Sequence, residues 1–339
     1  MVAEQLQMAF LPYAPLKEEL RIGDIILWPF YQKRTEYLKN QAIDAHIKQF
    51  LKQYVNHSKK REPLENITIV SYGSPDNFNP PSQEVAEEIR DAVKILFFAT
   101  VIRNNSWRAF ASNDFQLVYQ HFRLGDDGIA PSSGSFIRRT YGGPRIDDIL
   151  FIKPFNIASG YDIDYDGKIL KALATLPKKT HDKLHRRIMR SLEWVMYAYN
   201  NSDGFSFDSR IIMMSTAFEI LLDGFDGRWD FVNKVSRLIC TYYDRAEKNR
   251  ETRRVTINKS IIDKELSYKE WWAYEFYVLR NDLVHGKSID DKRYKNRKDK
   301  DYFTLSVRFF EICLKKTLGN HYDYDMGERI KTSNIYDEV

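Results

Sequence analysis

The sequence predicts an N-terminal α+β domain followed by an all-α helical bundle, with helix predominating overall. A length of 339 residues suits two domains, because single domains usually hold about 100–200 residues. The first half mixes short β-branched or aromatic runs with turn-rich segments, whereas after about residue 165 apolar residues recur at helical spacing. We therefore expect an α+β domain over residues 1–162, a helical bundle over 163–325 and a C-terminal tail over 326–339.

Within the N-terminal domain, residues 22–30 and 67–73 predict strands, since their β-branched and aromatic residues are bounded by turn residues. Residues 35–57 are polar with apolar residues at helical spacing, which favours an amphipathic helix. Another helix is predicted to begin after Ser82, whose hydroxyl can cap it ahead of several acidic residues. Three later segments are also predicted strands: 115–124, 136–141 and 149–155.

The bundle is predicted from segments whose apolar residues repeat every three or four positions. These segments are 167–176, 178–200, 207–222, 229–247, 268–285 and 302–318. The short connections between them imply helices that pack around a core of their own.

The charge balance, the cysteines and the lack of long apolar runs restrict the kinds of protein that this chain can be. The 52 Lys and Arg residues exceed the 47 Asp and Glu residues only slightly, so binding to a polyanion must depend on local clusters of charge. The two cysteines, Cys240 and Cys313, have neither disulfide-framework nor zinc-ligand spacing. Since no apolar run is long enough for a transmembrane helix and the N-terminus lacks a signal-peptide pattern, we expect a cytoplasmic protein that does not bind membranes.

Motifs for common cofactors are absent from the sequence, which has no phosphate-binding loop, dinucleotide fingerprint or serine-hydrolase elbow. Asp162, Asp164 and Asp166 begin like a calcium loop. However, Leu173 stands where a bidentate glutamate is required, which favours a turn that caps a helix. The histidine pair His181 and His185 lacks a third ligand. We therefore expect no cofactor and no metal ion.

One segment at the end of a predicted helix, YVLRNDLVHGK at 277–287, places three polar residues among apolar ones. Asn281 and His285 share a helix face, whereas Arg280 lies about 140° from His285 and must reach round with its long side chain. Gly286 provides a helix stop, so the imidazole lies where the helix dipole favours a cation. A protonatable histidine beside a fixed cation and an amide suits phosphate-ester chemistry.

An Arg followed by a polar residue and by a His at this spacing resembles the motif of the HEPN superfamily, in particular the ApeA-like HEPN domains. The segment STAFEILLDG at 215–224, with Glu219, is similar to the helix that precedes the motif in these domains. The resemblance covers roughly residues 165–325 and says little about residues 1–160. It implies a metal-independent endoribonuclease, with a prokaryotic defence or toxin role, that commonly forms a homodimer.

For this chain, such an activity implies attack by the RNA 2′-OH, which leaves a 2′,3′-cyclic phosphate. His285 would be the general base or acid, Arg280 would clamp the phosphate, and Asn281 would orient the phosphate or the imidazole. A homodimer would pair two motif helices through aromatic residues that exceed the needs of one intramolecular face. These residues are Trp271, Trp272, Tyr274, Phe276 and Tyr277.

A basic segment directly after the motif could follow an RNA backbone while its tyrosine stacks on a base. The candidate contacts are Lys287, Lys292, Arg293, Tyr294, Lys295 and Arg297. Such a run is also typical of a solvated loop.

Other interpretations remain open from the sequence. Arg280 could instead pair with an acid such as Glu275 or Asp282, while His285 merely caps the helix. The bundle would then be a non-catalytic interaction or dimerisation module, or an RNA-binding regulator. The N-terminal domain would sense a trigger, restrain the nuclease or bind a protein partner.

Overall fold

The computed structural model of the chain has two compact units, Met1–Thr175 and Leu176–Val339. The described residues are 5–31, 38, 41–55, 62–103, 111–123, 130–132, 151–152, 163–176, 182–200, 205–240, 250–257, 260–295 and 301–322. Among these residues, no helix is long and apolar enough to cross a membrane.

The first unit is built on an antiparallel sheet of six strands. These strands are β1 (Gln5–Leu11), β2 (Leu20–Ile22), β3 (Ile25–Tyr31), β5 (Asn66–Tyr72), β6 (Val118–Arg123) and β7 (Ala130–Ser132). Their order in the sheet is β2-β3-β5-β1-β6-β7, so β1 lies in the interior between β5 and β6. The short strands β4 (Tyr54–Val55) and β8 (Phe151–Ile152) form a separate parallel pair.

Helices cover both faces of this sheet. α1 (Gln41–Leu51) packs against the face that carries Met8 of β1. Successive residues of a strand point to opposite faces, so Ala9 faces the other way, where the first turns of α2 (Gln83–Arg103) approach it. α3 (Gly167–Ala174) packs against α2.

The strands predicted at 22–30 and 67–73 are confirmed as β3 and β5. The helix predicted at 35–57 is confirmed only over α1, because Tyr54–Val55 form the strand β4. The helix predicted after Ser82 is α2. Its cap forms as expected, with the Val85 N–H donating to the Ser82 hydroxyl at 3.3 Å.

The remaining strands of the first unit were not equally visible in the sequence. Segments 115–124 and 149–155 contain β6 and β8, whereas 136–141 lies outside the described residues. β1 was not predicted, although polar and apolar residues alternate over the first four residues of its sequence QLQMAFL. That period of two is the signal that could have revealed the strand.

The division between the units lies after the expected boundary at residue 162. α3, which was expected to open the bundle, belongs instead to the first unit. Its N-cap residue Asp166 donates its backbone N–H to the Ala99 carbonyl of α2 at 3.0 Å. Ile169 and Leu173 of α3 are buried.

The second unit is mostly helical, as the sequence predicts. Its helices are α4 (Lys183–Ala198), α5 (Phe207–Leu221), α6 (Gly227–Ile239), α7 (Tyr268–Val284) and α8 (Tyr302–Tyr322). A hairpin of β9 (Arg250–Ile257) and β10 (Ser260–Ser267) lies between α6 and α7, so the unit is not purely helical. The hairpin escapes prediction because its strands are largely exposed and rich in charged residues, which obscures any apolar alternation.

The core of the second unit is organised around the buried ring of Phe218 on α5. Its centroid lies 5.5–6.0 Å from the rings of Phe231, Trp272, Phe276 and Phe310, which come from three other helices. Edge-on and tilted aromatic pairs at such distances add to the stabilisation from apolar burial. The α5 helix is therefore central to the packing of the unit.

We expect Phe218→Ala to lower the free energy of unfolding of the second unit by about 3–5 kcal/mol, because it leaves a large cavity among four rings. The measurement is denaturant unfolding followed by near-ultraviolet circular dichroism. Ile261→Ala is the matched control, since this side chain is 74% exposed and its truncation is expected to change stability by less than about 0.5 kcal/mol. Equal losses in the two variants would contradict the central position of Phe218.

Candidate active site

The C-terminal end of α7, where the motif lies, is closed by a Schellman turn. Gly286 has a φ of 68°, and its N–H donates to the Leu283 carbonyl at 3.0 Å. The Lys287 N–H donates to the Asp282 carbonyl, also at 3.0 Å, which completes the motif. Glycine adopts this left-handed conformation without strain, and the turn leaves His285 exposed at the helix end.

Arg280 and Asn281 are bonded to each other. Arg280 Nη1 donates to Asn281 Oδ1 at 2.9 Å, and both side chains are partly buried. Asn281 lies on the helix face of His285, whose N–H donates to the Asn281 carbonyl at 3.0 Å. The guanidinium therefore bonds a side chain that lies on the helix face of His285. All three predicted residues lie at the C-terminal end of α7.

The Asp282 carboxylate is bound by cations other than Arg280. Lys287 Nζ lies 2.7 Å from Oδ1, and Arg293 Nη1 lies 2.8 Å from Oδ2. Both oxygens of this buried side chain are therefore occupied. Within the described part of the chain, Arg280 forms an ion pair with neither Asp282 nor Glu275. These contacts do not support the alternative in which Glu275 or Asp282 neutralises Arg280.

These contacts also set the charge of two carboxyls on one side of α7. Burial alone would raise the pKa of Asp282, but hydrogen bonds from Lys287 and Arg293 hold that pKa below its ordinary value. Burial raises the pKa of Glu275, and the guanidinium groups of Arg293 and Arg228 oppose that rise. Arg293 therefore interacts with both acids.

The basic segment is attached to the bundle through Tyr294 as well as through Arg293. The Tyr294 hydroxyl donates to the carboxylate of Asp208 on α5, and its ring packs edge-on against Phe207 at 5.0 Å. The ring that was predicted to stack on a base thus has an intramolecular role in the structure.

The other predicted RNA contacts differ in their surroundings. Lys292 and Lys295 are exposed, and Lys287 keeps 64% of its side chain exposed although it pairs with Asp282. Arg297 lies outside the described residues.

The acidic turn before α3 caps the helix, as expected. The Asp166 carboxylate accepts from two backbone N–H groups of the first turn, at 2.9 and 3.1 Å. Asp164 pairs with Arg103 at 3.0 Å. Asp162 and His181 lie outside the described residues. Among the residues that are described, no three His, Cys, Asp or Glu side chains form a group that could hold a metal ion.

The aromatic residues of α7 serve mostly the unit's own core, which corrects the expectation of surplus aromatic surface. Trp272 stacks on Phe276 at 5.1 Å, and both are buried together with Tyr274. Trp271 and Tyr277 are the two that keep partial exposure. Two partly exposed rings are a weaker argument for a subunit interface than the five counted from the sequence.

The first unit has a cleft of about 250 Å³ beside the start of α2. The amides of Gln7, Asn77 and Asn79 contribute to its lining, and two consecutive prolines form part of its wall. Asn77 Nδ2 donates to the Tyr72 carbonyl at 2.8 Å, which holds the loop against the end of β5. Apolar side chains such as Val70, Val85 and Ile89 line the cleft together with these polar residues.

Two sets of contacts in the second unit were not predicted from the sequence. The Asp282 pairs were missed, although a lysine directly after a glycine helix stop is a signal for a contact with the last helical turn. A cluster of cations over aromatic rings, formed by α6, the hairpin and α7, was missed because its members are far apart in the sequence.

Comparisons of the chain with protein-family models, with curated proteins and with solved structures find no match. The chemistry of the site is therefore argued from its own residues. A guanidinium held by an amide and an exposed imidazole at the same helix end are groups that can bind a phosphodiester and transfer protons.

We expect Asp282→Asn to lower the free energy of unfolding at pH 7 by about 1 kcal/mol, because its two cationic partners are partly exposed and solvent weakens such pairs. A depressed folded pKa stabilises the protein above the ordinary aspartate value of about 3.9, and this contribution is lost as the pH falls through the lower folded value. The difference between wild type and variant should therefore vanish in acid. Asp223→Asn is the control, since Asp223 is 81% exposed. A difference that persists unchanged to pH 2 would contradict the ion-pair assignment.

Proposed function

We propose that this protein is a HEPN-type endoribonuclease that cleaves RNA through attack by the 2′-OH and needs no metal ion. Prokaryotic defence or a toxin role, exercised in the cytoplasm, is the setting that the resemblance implies. No family assignment supports this beyond the motif at Arg280, Asn281 and His285. The proposal therefore depends on what those residues can do together.

The observation that carries the proposal is the bond between Arg280 Nη1 and Asn281 Oδ1. It places the guanidinium beside an amide that shares a helix face with His285. An arginine with a purely structural role would be expected to pair with a carboxylate, because charge-assisted pairs are stronger than bonds to a neutral amide. Among the described residues, Arg280 forms no ion pair and bonds an amide instead.

The chemistry follows from these groups. One imidazole removes the proton from the 2′-OH, whose oxygen attacks the adjacent phosphorus. The bond from phosphorus to the 5′-oxygen breaks, and that oxygen takes a proton from an imidazolium. The products carry a 2′,3′-cyclic phosphate and a 5′-hydroxyl. Arg280 would bind the non-bridging oxygens, where negative charge develops, while Asn281 keeps the guanidinium in place.

The basic segment supplies contacts to the RNA backbone in this proposal, but its members are not equivalent. Lys292 and Lys295 are exposed and suited to phosphates. Lys287 and Arg293 already bind Asp282, so their main role is to hold the segment beside the motif. Contacts from Tyr294 and Arg297 stay a prediction from the sequence.

Two imidazoles would serve this reaction better than one, because proton removal and proton donation occur on opposite sides of the phosphorus. A symmetric homodimer that pairs two α7 ends would supply both. The exposure of His285 at the last position of the helix is compatible with a second copy approaching it.

A regulatory or partner-binding role for the first unit is part of the same proposal. Its cleft beside the start of α2, whose lining includes Gln7, Asn77 and Asn79, is a candidate site for a small-molecule signal.

Purified protein is expected to cleave a mixed RNA pool in the presence of EDTA and to leave 2′,3′-cyclic phosphate ends. His285→Ala and Arg280→Ala should each reduce cleavage at least about 100-fold, since each removes a group acting in the transition state. Gel electrophoresis and mass spectrometry of the new ends provide the measurement.

The matched control for that experiment is His321→Ala, which removes another exposed histidine near the end of a helix, α8. Its activity, helical circular dichroism and melting temperature should equal those of wild type. Cleavage that survives in His285→Ala, or that EDTA abolishes and magnesium restores, would rule out the mechanism.

The dimer is tested by mixing chains. When an equal amount of His285→Ala is exchanged into a fixed amount of wild type, random pairing should reduce activity to about half, because mixed dimers hold one imidazole. Independent sites would leave the activity unchanged. Analytical ultracentrifugation of the same samples measures the oligomeric state, and a strictly monomeric active enzyme would exclude the two-imidazole arrangement.

A further inference from the structure

A second group of residues in the same unit joins cations to aromatic rings. Trp271 and Tyr274 of α7 stack in parallel, with centroids 5.2 Å apart and an interplanar angle of 11°. Trp229 of α6 lies 5.4 Å from Tyr274 and is tilted by 43°. The three rings are in mutual contact around the buried Tyr274, and Trp229 and Trp271 are partly exposed.

Three cations lie over these rings, one on each. Arg228 is centred 4.7 Å from the Tyr274 ring and also donates to its hydroxyl at 2.7 Å. From the hairpin, Lys264 Nζ lies 4.0 Å above the Trp229 ring, and Arg253 lies 5.4 Å from the Trp271 ring. We call this group the cation–aromatic cluster: Arg228, Trp229, Arg253, Lys264, Trp271 and Tyr274.

Two of the three cations are not neutralised by an ion pair. Arg253 is paired with Glu251. In the described part of the chain, no carboxylate lies within ion-pair distance of Arg228 or Lys264, which contact aromatic rings instead. Arg228 also acts electrostatically on the carboxyl of Glu275, whereas Lys264 over Trp229 keeps its positive charge toward solvent.

The cluster lies on the same side of α7 as part of the motif. At 100° per residue, Trp271, Tyr274, Asn281 and His285 fall within an arc of about 80°. The distance from Trp271 to His285 along the axis is about 21 Å at 1.5 Å per residue. One stripe of α7 therefore runs from partly exposed rings to the exposed imidazole.

We propose that the cation–aromatic cluster is a binding platform for single-stranded RNA, which leads the strand along this stripe of α7 to His285. Unstacked bases would pack against the exposed parts of Trp229 and Trp271, while the neighbouring cations bind the phosphates between them. A duplex keeps its bases stacked on each other and offers none to the rings, so single strands are preferred. The cluster deepens the proposed function, on which its connection to cleavage rests, but binding can be measured without cleavage.

The test uses the full chain and a fluorescein-labelled 2′-O-methyl oligoribonucleotide of mixed sequence, which lacks the nucleophile and cannot be cleaved. Binding is followed by fluorescence anisotropy for the single strand and for the same strand in a duplex. Trp271→Leu and Lys264→Gln should each weaken binding of the single strand at least about fivefold, and Lys264→Gln should also reduce the salt dependence. Lys264→Arg should restore the affinity.

The matched control is Arg237→Gln. Arg237 is exposed and lies nine residues after Arg228 on α6, hence on the opposite side of that helix. Its affinity for the single strand should equal that of wild type. Thermal unfolding of every variant separates lost binding from lost structure, because Lys264→Arg and Lys264→Gln should melt alike while only the first binds.

Each outcome decides between the possibilities. Equal affinities of wild type, Trp271→Leu and Lys264→Gln would overturn the platform, as would equal binding of single strand and duplex, or no binding at all. Recovery of stability without binding in Lys264→Arg would assign the cluster to docking of the hairpin alone. Binding that depends on the cluster in a protein without nuclease activity would keep the platform and remove the proposed catalysis. Cleavage that these variants leave unchanged would remove the platform and keep the proposed catalysis.

Discussion

The buried carboxylate of Asp282 is the constraint on which the geometry of the site depends. Such a carboxylate must be paired, and it is bound by Lys287 and Arg293 from the segment that follows the helix. Arg280, which points to another side of α7, bonds the amide of Asn281 instead. The Asp282 pairs hold the basic segment against α7. One small network of charges therefore fixes the position of the segment beside the motif.

α7 serves two purposes because its opposite sides differ in chemistry. The side with Trp272 and Phe276 packs around Phe218 and stabilises the unit. The other side carries partly exposed Trp271 at its start and exposed His285 at its end. Burial of one side makes the helix rigid, so groups on the other side keep a fixed spacing. A rigid element positions functional groups more accurately than a loop does.

Local signals in the sequence predicted most of what is local in the structure. The Ser82 cap of α2 and the Gly286 stop of α7 are set within a few residues, and both were predictable. The contacts that decide the site are between distant segments. The pairing of Asp282 with Arg293 and the position of Lys264 over Trp229 depend on how helices and hairpin pack, which no periodicity encodes. The hairpin itself was hidden by its exposed, charged strands.

The partners of the cations explain why the candidate route for RNA differs from the one that charge counting predicts. Arg293 would have to leave the buried Asp282 in order to bind a phosphate, and an unpaired buried carboxylate is costly. Lys264 and Arg228 contact rings, and a cation can keep a ring on one side while it binds a phosphate on the other. Part of the charge in the basic segment after α7 is thus used in ion pairs within the second unit. Lys264 has a less conspicuous position in the sequence, but among the described residues it forms no ion pair.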